Sequence, residues 1–274
     1  MDLHQLHTLS AVIDSGSFEA AARTLNVTPS AVSQRIKALE QRAGRVLVQR
    51  SKPARLTDAG AVVLRLARQL ALLESEADSA LGGATITNLA IGVNADSLDT
   101  WVLPALRTVE GVTFDIHRED QEHSVDLLRE GRVMGAVTSD STPVQGCTVR
   151  RLGSMRYRPM AAPGWPTQIA TTPVVVFDRK DDLQDAFLRS RGVDPLTVPR
   201  HYVPGSSAFV TAVVLGFGWG MLPDEQAAEH LAAGRLALID ETAAVEVPLY
   251  WQQWALDSDA LERTAEALAT AFAS

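Results

Sequence analysis

Apolar positions in the first 43 residues recur at helical spacing. Leu3, Leu6, Leu9, Val12 and Ile13 share one face, which predicts a helix over residues 3–14 that Gly16 ends. Ser17 has the side chain of an N-cap and opens a second helix, SFEAAARTLN. There Ala20 begins three consecutive small residues that let helices approach closely. Asn26 and Val27 make a short turn. Thr28 caps a third helix, Pro29 suits its first position, and Gly44 supplies a left-handed stop. Ala31, Val32, Ile36 and Leu39 form its apolar stripe. Three helices with a tight connection between the second and third are the arithmetic of a helix-turn-helix.

The period then changes. Val46 and Val48 fall on one side of a short strand, Ser51-Lys52-Pro53 makes a turn, and Arg55-Leu56-Thr57 returns, predicting a two-stranded wing. From Asp58 to Leu81 the helical period resumes. Val62, Leu66, Leu70, Leu73 and Ala77 lie near heptad spacing, and Val63, Leu64 and Leu72 widen the stripe. That is more leucine than a lone helix can hide, so this helix is predicted to pair with its copy in a second chain. Gly82-Gly83 breaks it. Beyond Thr85, strands alternate with helices. TNLAIGV, VTFDIHR and MGAVTS are strands, with helices over 97–108 and about 122–131. A strand over 148–162 leads to a crossing point near Ala161–Pro163. A second set follows: TPVVVFD, helix 181–191, HYVP, helix 206–216, GWGML, helix 224–233, the late strands ALI and VPLYWQQW, and a terminal helix. The alternation predicts βαβ units and parallel sheet in two α/β lobes.

Composition sets the class. The chain has 274 residues and 46% hydrophobic content, enough for two or three domains with real cores. It contains no apolar run of about 20 residues, so no membrane span is expected. MDLHQLHTLS has neither the basic head nor the apolar centre of a secretory signal, and Cys147 has no partner for a disulfide. Both suit a cytoplasmic protein. The net charge of −8 is unevenly spread. Residues 1–58 hold eight Lys and Arg against five Asp and Glu, a balance of +3, which leaves −11 on the rest. A basic head on an acidic body suits a head that meets phosphate and a body that meets a cation.

Chemistry follows the same division. Ser30, Ser33, Gln34, Arg35 and Lys37 occupy the polar faces of the third helix, and Arg50, Lys52 and Arg55 lie on the wing. Short hydrogen-bonding side chains flanked by cations are what a helix needs to read base edges and neutralise phosphate. Ligands of open α/β sheets sit off the carboxyl ends of the strands, here between two lobes. Those ends carry Asn94-Ala95-Asp96-Ser97, Glu119-Asp120, Asp178 and Gly205-Ser206-Ser207. Free helix N–H groups beside several carboxylates fit a zwitterion with an extra positive charge, and Asp178 is the first choice for its side-chain cation. Asp181-Asp182 is placed to open a helix favourably to its dipole. No GxSxG, P-loop, GxGxxG or paired Cys/His spacing occurs, so neither an enzyme nor a metal site is expected. A solute-binding transport component fits the cleft but not the basic head.

Residues 18–60, with AAARTLNVTPSAVSQRIKALE and ARLTDAG, resemble the winged helix-turn-helix of LysR-type transcriptional regulators. The resemblance implies base contacts by Pro29, Ser30, Ser33 and Gln34 and phosphate contacts by Arg35, Lys37, Arg50 and Arg55. Pro29-Ser30 stands where many members have Gln-Pro, and Gln34 where many have Arg, so the base preference is this chain's own. It also implies a winged helix-turn-helix over 1–58 and a linker, dimerisation helix and hinge over 59–83. An effector-binding domain of two Rossmann-like, periplasmic-binding-protein-like lobes would cover 84–274. Lobe I would span about 84–161 plus the C-terminal segment, and lobe II about 162–255. NADSLDTWVLPAL, Glu119-Asp120, VVFDRKDDLQDAFL and LYW are similar to the ArgP/LysG/IciA subgroup. That subgroup senses lysine, arginine or histidine and controls a basic amino-acid exporter gene. The likeness implies that Asn94, Ala95, Asp96, Ser97, Glu119, Asp120, Asp178, Ser206 and Ser207 line an effector pocket. It implies double-stranded DNA as partner, no cofactor besides the amino acid, a homodimer that joins into a tetramer, and contact with RNA polymerase. The alternative is a LysR-type regulator of another operon with a different small effector.

Overall fold

The computed structural model describes residues 1–83, 86–118, 124–166 and 168–273. Helix α1 (Leu3–Ser15) starts where the Asp2 carboxylate accepts the His4 N–H and stops at Gly16, whose φ of +70° closes the helix. In α2 (Phe18–Thr24) the Ser17 hydroxyl accepts from Ala20 N at 3.1 Å, and Ala21 and Ala22 are buried. Asn26 turns the chain at φ +52°, a conformation asparagine tolerates. Thr28 then caps α3 (Pro29–Ala43) on Ala31 N, and Gly44 ends it in the left-handed region. Val32, Ile36 and Leu39 bury against Leu6, Leu9 and Val12 of α1.

The wing is β1 (Val48–Gln49) paired antiparallel with β2 (Arg55–Leu56). The Glu40 carboxylate ties it to α3 by accepting the N–H groups of Leu47 (2.8 Å) and Val48 (3.3 Å). The sequence pattern places Val46 on the strand beside Val48. Val46 instead lies outside β1 and is 64% exposed, and Leu47 enters the core. The Thr57 hydroxyl donates to the Val46 carbonyl at 2.7 Å and Thr57 N donates to the Leu47 carbonyl, so the backbone turns there and Val46 faces outward. Helix α4 (Asp58–Ala80) runs past the wing so closely that a Cβ at Gly60 would sit 2.1 Å from the Leu47 carbonyl oxygen. Its apolar stripe divides. Val63, Leu64 and Ala67 complete the head core and Leu72 is buried, whereas Val62, Leu66 and Leu73 stay exposed.

The chain forms two compact units. The first holds residues 1–93, 106–150 and 251–268, and the second 94–105, 151–250 and 269–274. In the first, β3 (Thr87–Val93) lies between parallel neighbours β4 (Val112–Arg118) and β5 (Gly135–Thr138). Leu89, Ala90, Ile91 and Val93 are all buried, as in parallel strands covered on both faces. Helix α7 (Ser124–Arg129) packs on β5. The Glu76 carboxylate of α4 accepts from the Ser258 hydroxyl and from Ala260 N, at the start of α11 (Asp259–Ala273).

Two long strands, β6 (Cys147–Ala161) and β11 (Val245–Trp254), carry the chain into and out of the second unit. There β6 pairs antiparallel with β9 (Gly220–Pro223) and β10 (Ala237–Leu238), while β7 (Val174–Val176) and β8 (Arg200–Tyr202) pair in parallel. Helices α8 (Leu183–Ser190), α9 (Ser206–Val214) and α10 (Asp224–Ala232) complete it. Met160, Val175, Phe209, Val213 and Leu222 form its core.

The helix expected over 97–108 starts earlier and ends earlier. It opens as α5 (Ala95–Ser97), widens into a π-helical turn over Leu98–Val102 and finishes as α6 (Leu103–Leu106). Asn94 is already extended, which sets the start. Pro104 has no N–H to give to the Thr100 carbonyl, and its ring would crowd that oxygen in a regular α-helix, so the preceding turn widens. Among the described residues no helix is long and apolar enough to cross a membrane.

Candidate functional site

Two separate places collect the predicted residues. In the head, Pro29, Ser30 and Gln34 are exposed on the first turns of α3, Ser33 is half-buried between them, and Lys37 is exposed one turn on. The apolar face of α3 is spent on the head core, so these polar residues remain on the surface. Arg35 is braced: its guanidinium donates to the Thr8 hydroxyl of α1 at 3.5 Å. Arg50 follows β1 with its guanidinium 4.9 Å from the Phe18 ring centroid, and Arg55 is exposed on β2. The basic residues of the head thus come from both α3 and the wing.

The second place lies within the second unit. The Asp96 carboxylate bridges two hydroxyls, accepting from Tyr157 Oη at 2.7 Å and from Ser206 Oγ at 2.5 Å. Gln226 Nε2 donates to the same Ser206 oxygen at 2.6 Å. One turn further along, Asp99 accepts from both the backbone N–H (3.1 Å) and the hydroxyl (2.7 Å) of Ser207. Burial pushes the Asp96 carboxyl above the ordinary carboxylate range. Its hydrogen bonds from Ser206 and Tyr157 pull the other way, and the negative charge of Asp99 adds to the rise.

A second acidic group stands at the end of β7. The Asp181 carboxylate accepts from Phe177 N and Leu183 N, and so caps α8 from two residues before its first. Burial raises its pKa as well. The two N–H groups oppose that rise, and the charges of Asp96 and Asp178 reinforce it. Asp178 accepts the N–H groups of Lys180 and Asp181 in a tight turn. Asp182 pairs instead with Arg189. Asp181 therefore feels the charges of both Asp96 and Asp178, and Asp96 and Asp181 hold their protons more tightly than a free carboxylate.

Of the remaining predicted residues, Ala95 is the first residue of α5. Ser97 is buried and its hydroxyl donates to Met155 Sδ at 3.6 Å. Asn94 is 2% exposed, and among the described residues neither its amide oxygen nor its amide nitrogen has a hydrogen-bond partner. Glu119 and Asp120 lie outside the described residues. Tyr157, Asp99, Asp181 and Gln226 join the site without having been assigned to it. Asp99 was within reach of a pattern argument, since i and i+3 share a helix face. Tyr157 and Gln226 are brought in by contacts across 61 and 20 residues, which no local pattern announces.

Cys147 is partly buried, and desolvation pushes its thiol up to about 11, with the Arg65 charge only partly offsetting this. Such a thiol is protonated at neutral pH and is a poor nucleophile.

Residues 3–61 match the sequence model of the bacterial regulatory helix-turn-helix proteins of the lysR family, and residues 84–273 match that of the LysR substrate binding domain. The chain is 43% identical over 280 residues to the lysine export transcriptional regulatory protein LysG of Corynebacterium glutamicum, covering 97% of this chain and 96% of the relative. The crystal structure of ArgP from Mycobacterium tuberculosis is 45% identical and superposes with a TM-score of 0.86, covering 100% of this chain and 98% of that one. Full-length LysG from Corynebacterium glutamicum with the effector Arg bound is 41% identical with a TM-score of 0.78, at the same coverage.

Proposed function

Because this chain belongs to the LysR family of bacterial helix-turn-helix regulators, we propose that it binds operator DNA through its head under the control of a basic amino acid, lysine, arginine or histidine. The gene it controls is then that of a basic amino-acid exporter. The observation that carries the effector class is the group of carboxylates in the second unit. Asp96 and Asp181 keep raised pKa values, and the charge of Asp178 adds to the strain on Asp181. A guanidinium or ammonium group relieves that repulsion, and a neutral or acidic ligand does not. The related regulators support the same reading, since one is a lysine export regulator and its structure holds arginine.

On the DNA side, Pro29, Ser30, Ser33 and Gln34 read base edges from the first turns of α3. Arg35, Lys37, Arg50 and Arg55 meet phosphates, Arg35 from its brace on Thr8. In the effector domain Asn94, Ala95, Asp96, Ser206 and Ser207 sit around the amino acid, with Asp178 and Asp181 toward its side-chain cation. Ser97 acts by fixing the start of the helix against Met155. The exposed face of α4, with Val62, Leu66 and Leu73, is covered by the same helix of a second chain, which gives two heads for two half-sites.

Calorimetric titration of the purified chain with lysine, arginine, histidine and leucine tests the effector class. Heat from the basic amino acids with leucine silent is the expected result. Leucine binding as well as arginine would remove the role given to the carboxylates.

A further inference from the structure

Helix α9 is nine residues long, and its N-cap is Gly205, which has no side chain to satisfy the first N–H groups. The missing cap comes from another element. Asp99, 108 residues earlier, accepts both the Ser207 N–H and the Ser207 hydroxyl. The neighbouring Ser206 hydroxyl is taken by Asp96. Both serines at the head of α9 are thus occupied by carboxylates of the chain itself.

We infer that Asp99 is a built-in stand-in for a ligand carboxylate: it holds the Ser207 N–H of α9 until the α-carboxylate of a bound amino acid takes its place. The inference rests on the amino-acid reading of the effector above. The two carboxylates differ in how firmly they are held. Asp96 is held by Tyr157 as well as Ser206, whereas Asp99 is exposed and has only Ser207 among its described hydrogen bonds. An exposed carboxylate that lets go regains water at little cost. Replacing it by a ligand carboxylate exchanges one charge-assisted cap for another, so α9 keeps its cap throughout. Asp96 and Asp99, one turn apart, also repel each other, and the ligand's own ammonium group favours bringing a zwitterion to this spot. Two residues before Asp96, at the N-cap of α5, Asn94 is buried, and among the described residues neither of its amide atoms has a hydrogen-bond partner, a costly state for a buried amide. Asp99 is in this account a positioning and specificity-determining residue. It weakens the reward for a ligand carboxylate and so sets how sharply the protein separates an amino acid from its decarboxylated amine.

The test uses full-length protein and the variant Asp99→Ala, which removes an exposed side chain. With the Ser207 amide followed by NMR in serine-labelled protein, acetate saturates the Ser207 shift in Asp99→Ala at about fivefold lower concentration than in wild type, the size of one capping interaction. Equal acetate titrations in the two proteins overturn the inference. Arginine and agmatine, which differ by the α-carboxylate alone, give the second reading. The ratio of agmatine to arginine dissociation constants rises about fivefold in Asp99→Ala if a cap of that strength is released. An unchanged ratio, with both ligands weakened alike, makes Asp99 a partner of the ammonium group and overturns the inference. Binding of neither ligand to either protein contradicts the basic amino-acid reading, and the acetate titration then decides the role of Asp99 by itself.

Discussion

Gln34 and Arg50 are both exposed in the head, yet they are expected to fail differently. In the proposed role an amide on the first turns of α3 discriminates between base edges, so Gln34→Ala is expected to lose about 1–3 kcal/mol on the operator and little on random DNA. Arg50 lies against Phe18 beside the wing, and a phosphate contact carries no sequence information, so Arg50→Ala weakens binding to both DNAs alike. Parallel mobility-shift titrations on operator and random duplex separate the two. Equal losses for Gln34→Ala contradict its assignment. In the effector domain, pH is the lever. Burial raises the carboxyl pKa values of Asp96 and Asp181, so each binds its proton more tightly folded than unfolded. Their contribution to folding is therefore unfavourable when both are ionised and is relieved as pH falls through the raised values. Cation binding has the opposite dependence, because it needs the ionised forms. Arginine affinity is expected to decline on acidification before pH reaches the ordinary aspartate value of about 3.9. Calorimetry across a pH series checks this, and an affinity that is flat down to pH 4 contradicts it.

At the scale of elements, the head was the most legible part of the chain. Its caps are local and each side chain acts within three residues: Ser17 on Ala20, Thr28 on Ala31, Thr57 on Gly60. Where the structure departs from the pattern, a longer-range partner or a single proline decided. Val46 turned outward because Thr57, 11 residues on, takes its carbonyl, and the helix after β3 widened at a proline that the periodic pattern ignores. The carboxylate and hydroxyl cluster of the second unit, the proposed effector site, was half legible. Asp96, Asp178, Ser206 and Ser207 stand at element ends that the strand–helix alternation marks. Their partners Tyr157 and Gln226 come from the middle of β6 and from α10, positions that carry no motif. Gly60 shows the same limit in a helix where glycine normally only weakens. A Cβ there meets the Leu47 carbonyl at 2.1 Å, a backbone atom that cannot step aside without moving the wing. Gly60→Ala is expected to destabilise the head by roughly 3 kcal/mol or more, well beyond a small helix-propensity gain. Thermal unfolding followed by circular dichroism measures it, and an unchanged midpoint contradicts the close packing of α4 on the wing.

For the whole molecule, α4 links the two tasks. One face belongs to the head core through Val63, Leu64 and Ala67, and Leu72 is buried further along. Its last turns bind the start of α11 through Glu76, inside the effector domain. The third face, with Val62, Leu66 and Leu73, is left exposed by a single chain. If that face is the proposed dimer contact, charges there separate the two copies without entering the core of one chain. The double variant Leu66→Glu, Leu73→Glu is expected to sediment as a monomer and to bind the operator more weakly than the wild type. A variant that remains a dimer contradicts the assignment of that face. The head and the effector domain thus share one helix, and in the proposed dimer that helix is the element through which a ligand would act on the spacing of two heads.

On the proposed function, a basic amino acid governs how this chain occupies DNA. This is tested by a footprint of the protein on the DNA upstream of its own gene and of the basic amino-acid exporter genes of the same genome, taken with no addition, with arginine, with lysine and with leucine. Protection is expected in all four cases, with the pattern of protected and hypersensitive positions changed by arginine or lysine and unchanged by leucine. A footprint indifferent to every amino acid, or one that leucine alters as strongly as arginine, contradicts it.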